Sequence, residues 1–208
     1  EYMRCTAPLV SLQPKISKER EEMGCPLVVV DSLVPSLDGD ANDSVTATRL
    51  MNTLRSFGTA TLIISHTNKE GRLYGSAFWK NNARNVWRVE KQQDLGQPYL
   101  DLSMVQEKSN NSGLTKPVGL RMNVENHAAS FTKLAIADFS TTLAKSVPIK
   151  TRIIDELRTG PAQTVKDLAD TLQETPSAIS MALTRGKGTT FVEVTDAAGK
   201  KTWGLLAK

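Results

Sequence analysis

Apolar positions change their period repeatedly along the first part of the chain, and each change marks an element. Residues 14–24 (PKISKEREEMG) are charged with Ile16 on one side, which predicts a surface helix stopped by Gly24. Residues 26–31 (PLVVVD) form an unbroken β-branched run, the pattern of a strand buried on both faces of a parallel sheet. The turn-rich loop 38–43 (DGDAND) supplies a helix cap. Val45, Leu50, Leu54 and Phe57 then recur at helical spacing over 44–57, and Gly58 closes that helix. A second apolar run, 59–65 (TATLIIS), predicts a second buried strand. Strand, helix, strand in this order is a parallel crossover, which brings the loop residues at both strand tips to one edge of the sheet.

From residue 82 the period drops to two. Residues 83–91, 98–108, 116–126 and 129–136 alternate between apolar and polar, separated by Gly, Asn, Ser and Pro, and predict successive antiparallel strands that extend the same sheet. The stretch 140–150 holds no acidic residue and reads as a linker, its centre at 141–149. Beyond it, 153–157, 164–172 and 177–183 predict three short amphipathic helices, followed by a hairpin of 191–194 and 202–206 across the turn 196–200. Three helices and a hairpin in that order form the layout of a winged helix-turn-helix. The expected fold class is therefore α/β over residues 1–140 plus a small winged-helix domain over 150–208.

Composition narrows the partners only slightly. With 208 residues, 26 Lys plus Arg against 22 Asp plus Glu, the net charge is +4, which permits nucleic-acid binding without requiring it. A hydrophobic share of 39% excludes a disordered tail. No apolar run approaches the ~18–20 residues that cross a bilayer, so no membrane partner is expected. Cys5 and Cys25 lack CxxC spacing, and His66 and His127 stand far apart, which argues against a zinc site and for reduced thiols in a cytoplasmic protein. The first residues carry no signal or transit pattern. With Glu at position 1, the expectation is a fragment of a longer protein.

Candidate chemistry gathers at the two predicted strand tips. A strand ending in Asp31 and followed by Ser32 is the pattern by which phosphoryl-transfer ATPases hold Mg²⁺, usually through water; the competing role for Asp31 is to cap its own loop. The second strand runs Ile64-Ser65-His66-Thr67-Asn68-Lys69, and a polar residue at that tip is placed to sense a γ-phosphate; a loop histidine satisfied by its neighbours is the competing role for His66. The phosphate loop GxxxxGK[ST] is absent. Its nearest decoy, 185–189 (RGKGT), has Met181 at the first Gly position and Gly188 where Ser or Thr belongs. The loop 38–43 has its Gly in the wrong place for calcium and reads as a turn plus helix cap.

The stretch 27–91, with His66, Thr67, Lys69, Gly75, Ser76, Ala83 and Arg84, resembles the RecA-like ATPases of the RepA and DnaB hexameric helicase type. Tyr2-Met3-Arg4-Cys5 is similar to the strand that precedes the Walker B unit in such proteins, and the resemblance extends over roughly 1–135. It implies the C-terminal part of a RecA-like P-loop NTPase core, with Asp31 as the Walker B aspartate beside Ser32 and His66 at the γ-phosphate-sensing position. ATP and Mg²⁺ follow as cofactors of the complete protein, and a homo-oligomer, in this family a hexameric ring, as its assembly. Residues 105–113 are similar to the loop that reaches into the neighbouring subunit's ATP site. Lys108 matches that loop's lysine, while Asn110 stands where its arginine belongs.

In the winged-helix reading, Thr175 caps a recognition helix over 176–185, Ile179 and Leu183 face the core, and Ser177, Ser180, Thr184 and Arg185 face a major groove. Lys187, Lys200 and Lys201 are placed to touch phosphates, and Trp203 is assigned to the core. Asp155, Glu156, Asp167 and Asp170 make the earlier helices acidic, which keeps protein docking open as the module's role. The function expected is that of a RepA-like ATPase fragment acting on DNA in replication or maintenance of a phage or mobile element, its Walker A segment outside the chain and the chain alone inactive. The alternatives are a non-enzymatic DNA-binding regulator with a degenerate RecA-like oligomerisation domain, and an adaptor docking another replication protein.

Overall fold

The charged stretch expected at 14–24 folds as a longer helix, α1 (Leu9–Met23), because Leu9 is buried and anchors an extra turn. Gly24 ends it at φ 62°, where its N–H donates to the Glu21 carbonyl and the Cys25 N–H to that of Arg20. The computed structural model describes residues 6–125, 127–135, 138–139, 141–195 and 199–206. The chain divides into two units between Arg84 and Asn85, upstream of the expected linker.

In the first unit, β1 (Leu27–Asp31) pairs in parallel with β2 (Ala60–Ile64), Leu27 opposite Ala60 and Asp31 opposite Ile64. The crossover is α2 (Ser44–Ser56), and a short helix, α3 (Phe78–Asn82), follows β2. Asp43 caps α2 as expected: its carboxylate accepts from the Val45 N–H at 3.1 Å and from the Thr46 N–H at 2.9 Å. Val28, Val30 and Ile63 join Leu9, Ile16, Leu50, Leu54, Phe57 and Trp79 in one apolar cluster with the helices. The expectation that both strands are buried on two faces is corrected. Leu27, Val29, Leu62 and Ile64 are 48, 52, 53 and 40% exposed, because α1 and α2 contribute to one cluster on the other face.

The second unit opens with an antiparallel sheet in the order β3 (Asn85–Gln92), β4 (Tyr99–Ser109), β5 (Val118–Glu125) and β6 (Ala128–Leu134). These strands were expected to extend the parallel sheet, but they form a sheet of their own. Period-two alternation specifies a strand without naming the strand it pairs with. Helix α4 (Thr141–Ala144) falls in the stretch expected as a linker, yet Phe139, Leu143 and Val147 pack on Val105 and Leu134 of this sheet. Polar ties reinforce that packing: the Ser103 and Ser146 hydroxyls lie 2.7 Å apart, and Arg88 donates to the Ser146 carbonyl at 2.7 Å.

The remainder forms α5 (Ile149–Thr159), α6 (Val165–Leu172), α7 (Pro176–Gly186) and the hairpin β7 (Phe191–Thr195) with β8 (Lys201–Leu205). Ile153, Leu168, Ile179, Leu183 and Phe191 are almost fully buried and meet Trp203 in one cluster, as expected for Ile179, Leu183 and Trp203. Between α5 and α6, Gln163 exchanges backbone bonds of 3.0 and 2.7 Å with Trp203, adding a bridge to the hairpin. Arg152, nearly buried, bonds Glu174 at 2.6 Å and also the Leu172 carbonyl, holding the end of α6 to α5. Over the described residues the chain is thus a mixed α/β protein with a small parallel sheet and separate antiparallel sheets. Among the described residues no helix is long and apolar enough to cross a membrane.

Candidate functional site

Asp31 is the last residue of β1, in register with Ile64 at the end of β2. The chain turns at once: the Leu33 N–H donates to the Ile64 carbonyl at 2.8 Å, and Ser36 closes the following turn by donating to the Leu33 carbonyl at 2.6 Å. The Asp31–Ser32 peptide bond is cis. Asp31 is exposed, Ser32 is half-buried, and the Asp31 carboxylate bonds none of the described residues. Loop capping is left to Ser36 and Asp43.

His66 lies just past the end of β2, exposed, at the start of a tight hairpin. Its carbonyl accepts from the Tyr74 N–H at 3.2 Å, and Thr67 pairs with Leu73. The Asn68 carboxamide oxygen accepts from the N–H groups of Glu70 at 3.0 Å and Arg72 at 2.9 Å, which sets Lys69 in the turn itself. Behind the hairpin, Gly75 adopts φ 98°, and a Cβ there would sit 2.6 Å from the Ala41 carbonyl oxygen. That oxygen instead accepts from the Ser76 N–H at 2.9 Å and from the Trp79 indole N–H at 2.9 Å. Gly75 and Ser76 therefore fasten the segment after His66 to the loop before α2. In that loop Asp40 accepts from the Asn42 N–H at 2.9 Å, and hydrogen bonds from Thr46 and Val45 hold the Asp43 carboxyl below its ordinary range.

Lys108 lies on β4 in the second unit, opposite Val86, and Asn110 falls just beyond the strand. Tyr2 to Cys5, and the 196–198 part of the hairpin turn, lie outside the described residues. The decoy 185–189 has its amides engaged locally: Gly188 N–H donates to Phe191 at 2.9 Å and Thr189 N–H to Gly186 at 3.2 Å.

The second candidate surface is built on α7. Thr175 caps it, accepting from the Ala178 N–H at 3.3 Å, and Ser177, Ser180, Thr184 and Arg185 are all exposed. A shallow hollow of about 470 Å³ brings together Ser180, Thr184, Lys187 and Lys201 with Lys166 and Trp203. Ser177, Arg185 and Lys200 do not line it. Glu193, which sequence reasoning passed over, sits among the two lysines. Lys187 donates to its Oε2, and the Lys201 Nζ is 3.1 Å from its Oε1. These two bonds hold the Glu193 carboxyl below the usual range. The Lys187 ammonium also stands 5.6 Å over the Trp203 ring, within reach of a cation–π contact. Two lysines expected to meet phosphates are thus already paired within the protein. A sequence signal existed: in FVEVT the acid interrupts an apolar strand, and Glu193 pairs in register with Trp203. Comparison with known protein families and with curated proteins gives no match.

Proposed function

We propose that the chain carries the Walker B and sensor part of a RecA-like ATPase that acts on DNA, the phosphate loop coming from outside these 208 residues. The observation that carries the reading is the pair of parallel strand tips, where the Asp31 carboxylate bonds none of the described residues and His66 follows the adjacent strand. A carboxylate that neither caps nor bonds any described residue fits a hydrated Mg²⁺, with Ser32 beside it. Bound Mg²⁺ would neutralise phosphate charge. Asp31 would orient its water shell, and His66, fixed through its carbonyl to the hairpin, would report contact with a terminal phosphate to residues 66–74. Lys108 would act on a neighbouring subunit's site in a homo-oligomeric ring.

Residues 149–206 fit a winged helix-turn-helix in which α7 enters the major groove and the hairpin meets the backbone. Its support is the order helix, bridge at Gln163, two helices and hairpin, with the polar residues of α7 exposed. Asn110, in place of the expected arginine, favours the second reading, a non-catalytic DNA-binding regulator.

One experiment separates the two. The full-length gene product should hydrolyse ATP in a Mg²⁺-dependent way, and Asp31→Asn should lower turnover on the order of 100-fold, the scale of losing one electrostatic contact to a transition state. Unchanged turnover in that variant removes the Walker B role. A full-length wild type without hydrolysis leaves the regulator.

A further inference from the structure

Glu193 joins the two halves of the α7 surface. It lies on β7 opposite Trp203, and Lys201 on β8 is opposite Thr195, so the three side chains share one face of the hairpin. Lys187 reaches the same carboxylate from beyond the C-terminal end of α7. Two ammonium groups and one carboxylate leave this trio with a single net positive charge, at the place where Ser180, Thr184 and Lys166 line the same hollow.

We propose that Glu193 is an electrostatic restraint on nucleic-acid binding, holding Lys187 and Lys201 as a half-neutralised pair so that the surface takes a phosphate backbone less tightly than its lysines alone would. The proposal rests on the winged-helix reading of this module. The chemistry follows from donor count. An ammonium has three N–H donors, so each lysine can keep its bond to Glu193 and still donate to a phosphate oxygen. The phosphate then lies a few ångströms from a carboxylate, and a like charge at that distance in water opposes binding by about fivefold. The same carboxylate keeps the two long side chains from spreading over the surface, so affinity is exchanged for a fixed spacing between the donors.

The test measures binding of the 208-residue chain to a mixed-sequence DNA duplex by fluorescence anisotropy across a salt series. It compares wild type, Glu193→Gln, Lys187→Ala with Lys201→Ala, and the triple variant. Glu193→Gln should bind about fivefold more tightly at low salt. Its salt slope should steepen by roughly 0.9, the effect of one further unit of net positive charge facing the phosphates. The gain should vanish in the triple variant. Unchanged or weaker binding by Glu193→Gln overturns the restraint, as does a gain that survives without the lysines. If the lysine variant binds as wild type does, or wild type binds no duplex, the nucleic-acid reading itself fails and the restraint with it.

Discussion

Asp31 and Glu193 are both strand carboxylates preceded by a valine, and the two units treat them in opposite ways. Glu193 is enclosed by Lys187 and Lys201, which lower its pKa and tie the hairpin to the end of α7. Asp31 stands at the end of β1 with no bond to the described residues, while the turn after it is closed by Ser36 and the next helix is capped by Asp43. A carboxylate whose neighbours already neutralise it contributes to structure and local charge. One left bare where the backbone has been satisfied by other groups is open to an external cation. Asp31 ends β1 while Glu193 lies in the middle of β7, so the two acids differ both in their place on a strand and in what surrounds them.

The sharpest way to break this contrast is to strip an engaged acid. Glu174→Ala leaves the nearly buried Arg152 without its carboxylate and should destabilise the C-terminal helices by about 3–5 kcal/mol, measured by denaturant unfolding. A cost below about 1 kcal/mol would mean that the Leu172 carbonyl alone satisfies the guanidinium. A smaller effect comes from pH. Because Asp43 has a folded pKa below its ordinary value of 3.8, its stabilisation is complete above that value and disappears as pH falls through the lowered one. Thermal midpoints of the wild type should therefore fall on acidification below pH ~4, and Asp43→Asn, which still caps but does not titrate, should flatten that fall. Glu193 and Asp167, also lowered, contribute in the same direction and leave a residual slope in the variant. Smallest of all, Asp31→Asn should leave the thermal midpoint of the chain unchanged, as expected of an acid kept for a ligand. A clear drop in the midpoint would class Asp31 with the structural acids.

What was legible in the sequence follows the range over which each signal acts. The loop 38–43 and Thr175 were readable as caps because the amides a cap accepts from lie two or three residues ahead, and the assignment of Trp203 to the core agrees with its burial in the C-terminal cluster. The faces of β1 and β2 were misread because an unbroken β-branched run looks the same whether one side or both are covered. The separate sheet of β3–β6 was missed for a related reason: alternation sets which side chains share a face, while pairing depends on distant strands. The stretch 140–150 was expected as a linker because it holds no acidic residue, yet Leu143 and Val147, with Phe139 just ahead of it, are enough to seat it on the sheet. Glu193 escaped because its partners come from two other elements, Lys187 after α7 and Lys201 on β8. At the strand tips, the residues could be singled out from the sequence, but that Asp31 bonds none of the described residues could not.

The one-sided parallel sheet has a practical consequence. Leu27, Val29, Leu62 and Ile64 form an oily strip on two strands, and Val89 and Phe131 add apolar exposure on the antiparallel sheet. Surfaces of this kind adhere to one another at high protein concentration without forming a defined interface. Measurements of assembly on this chain therefore need a dilution series: a closed ring keeps one stoichiometry until it dissociates, whereas adhesion through oily strips adds mass continuously as concentration rises.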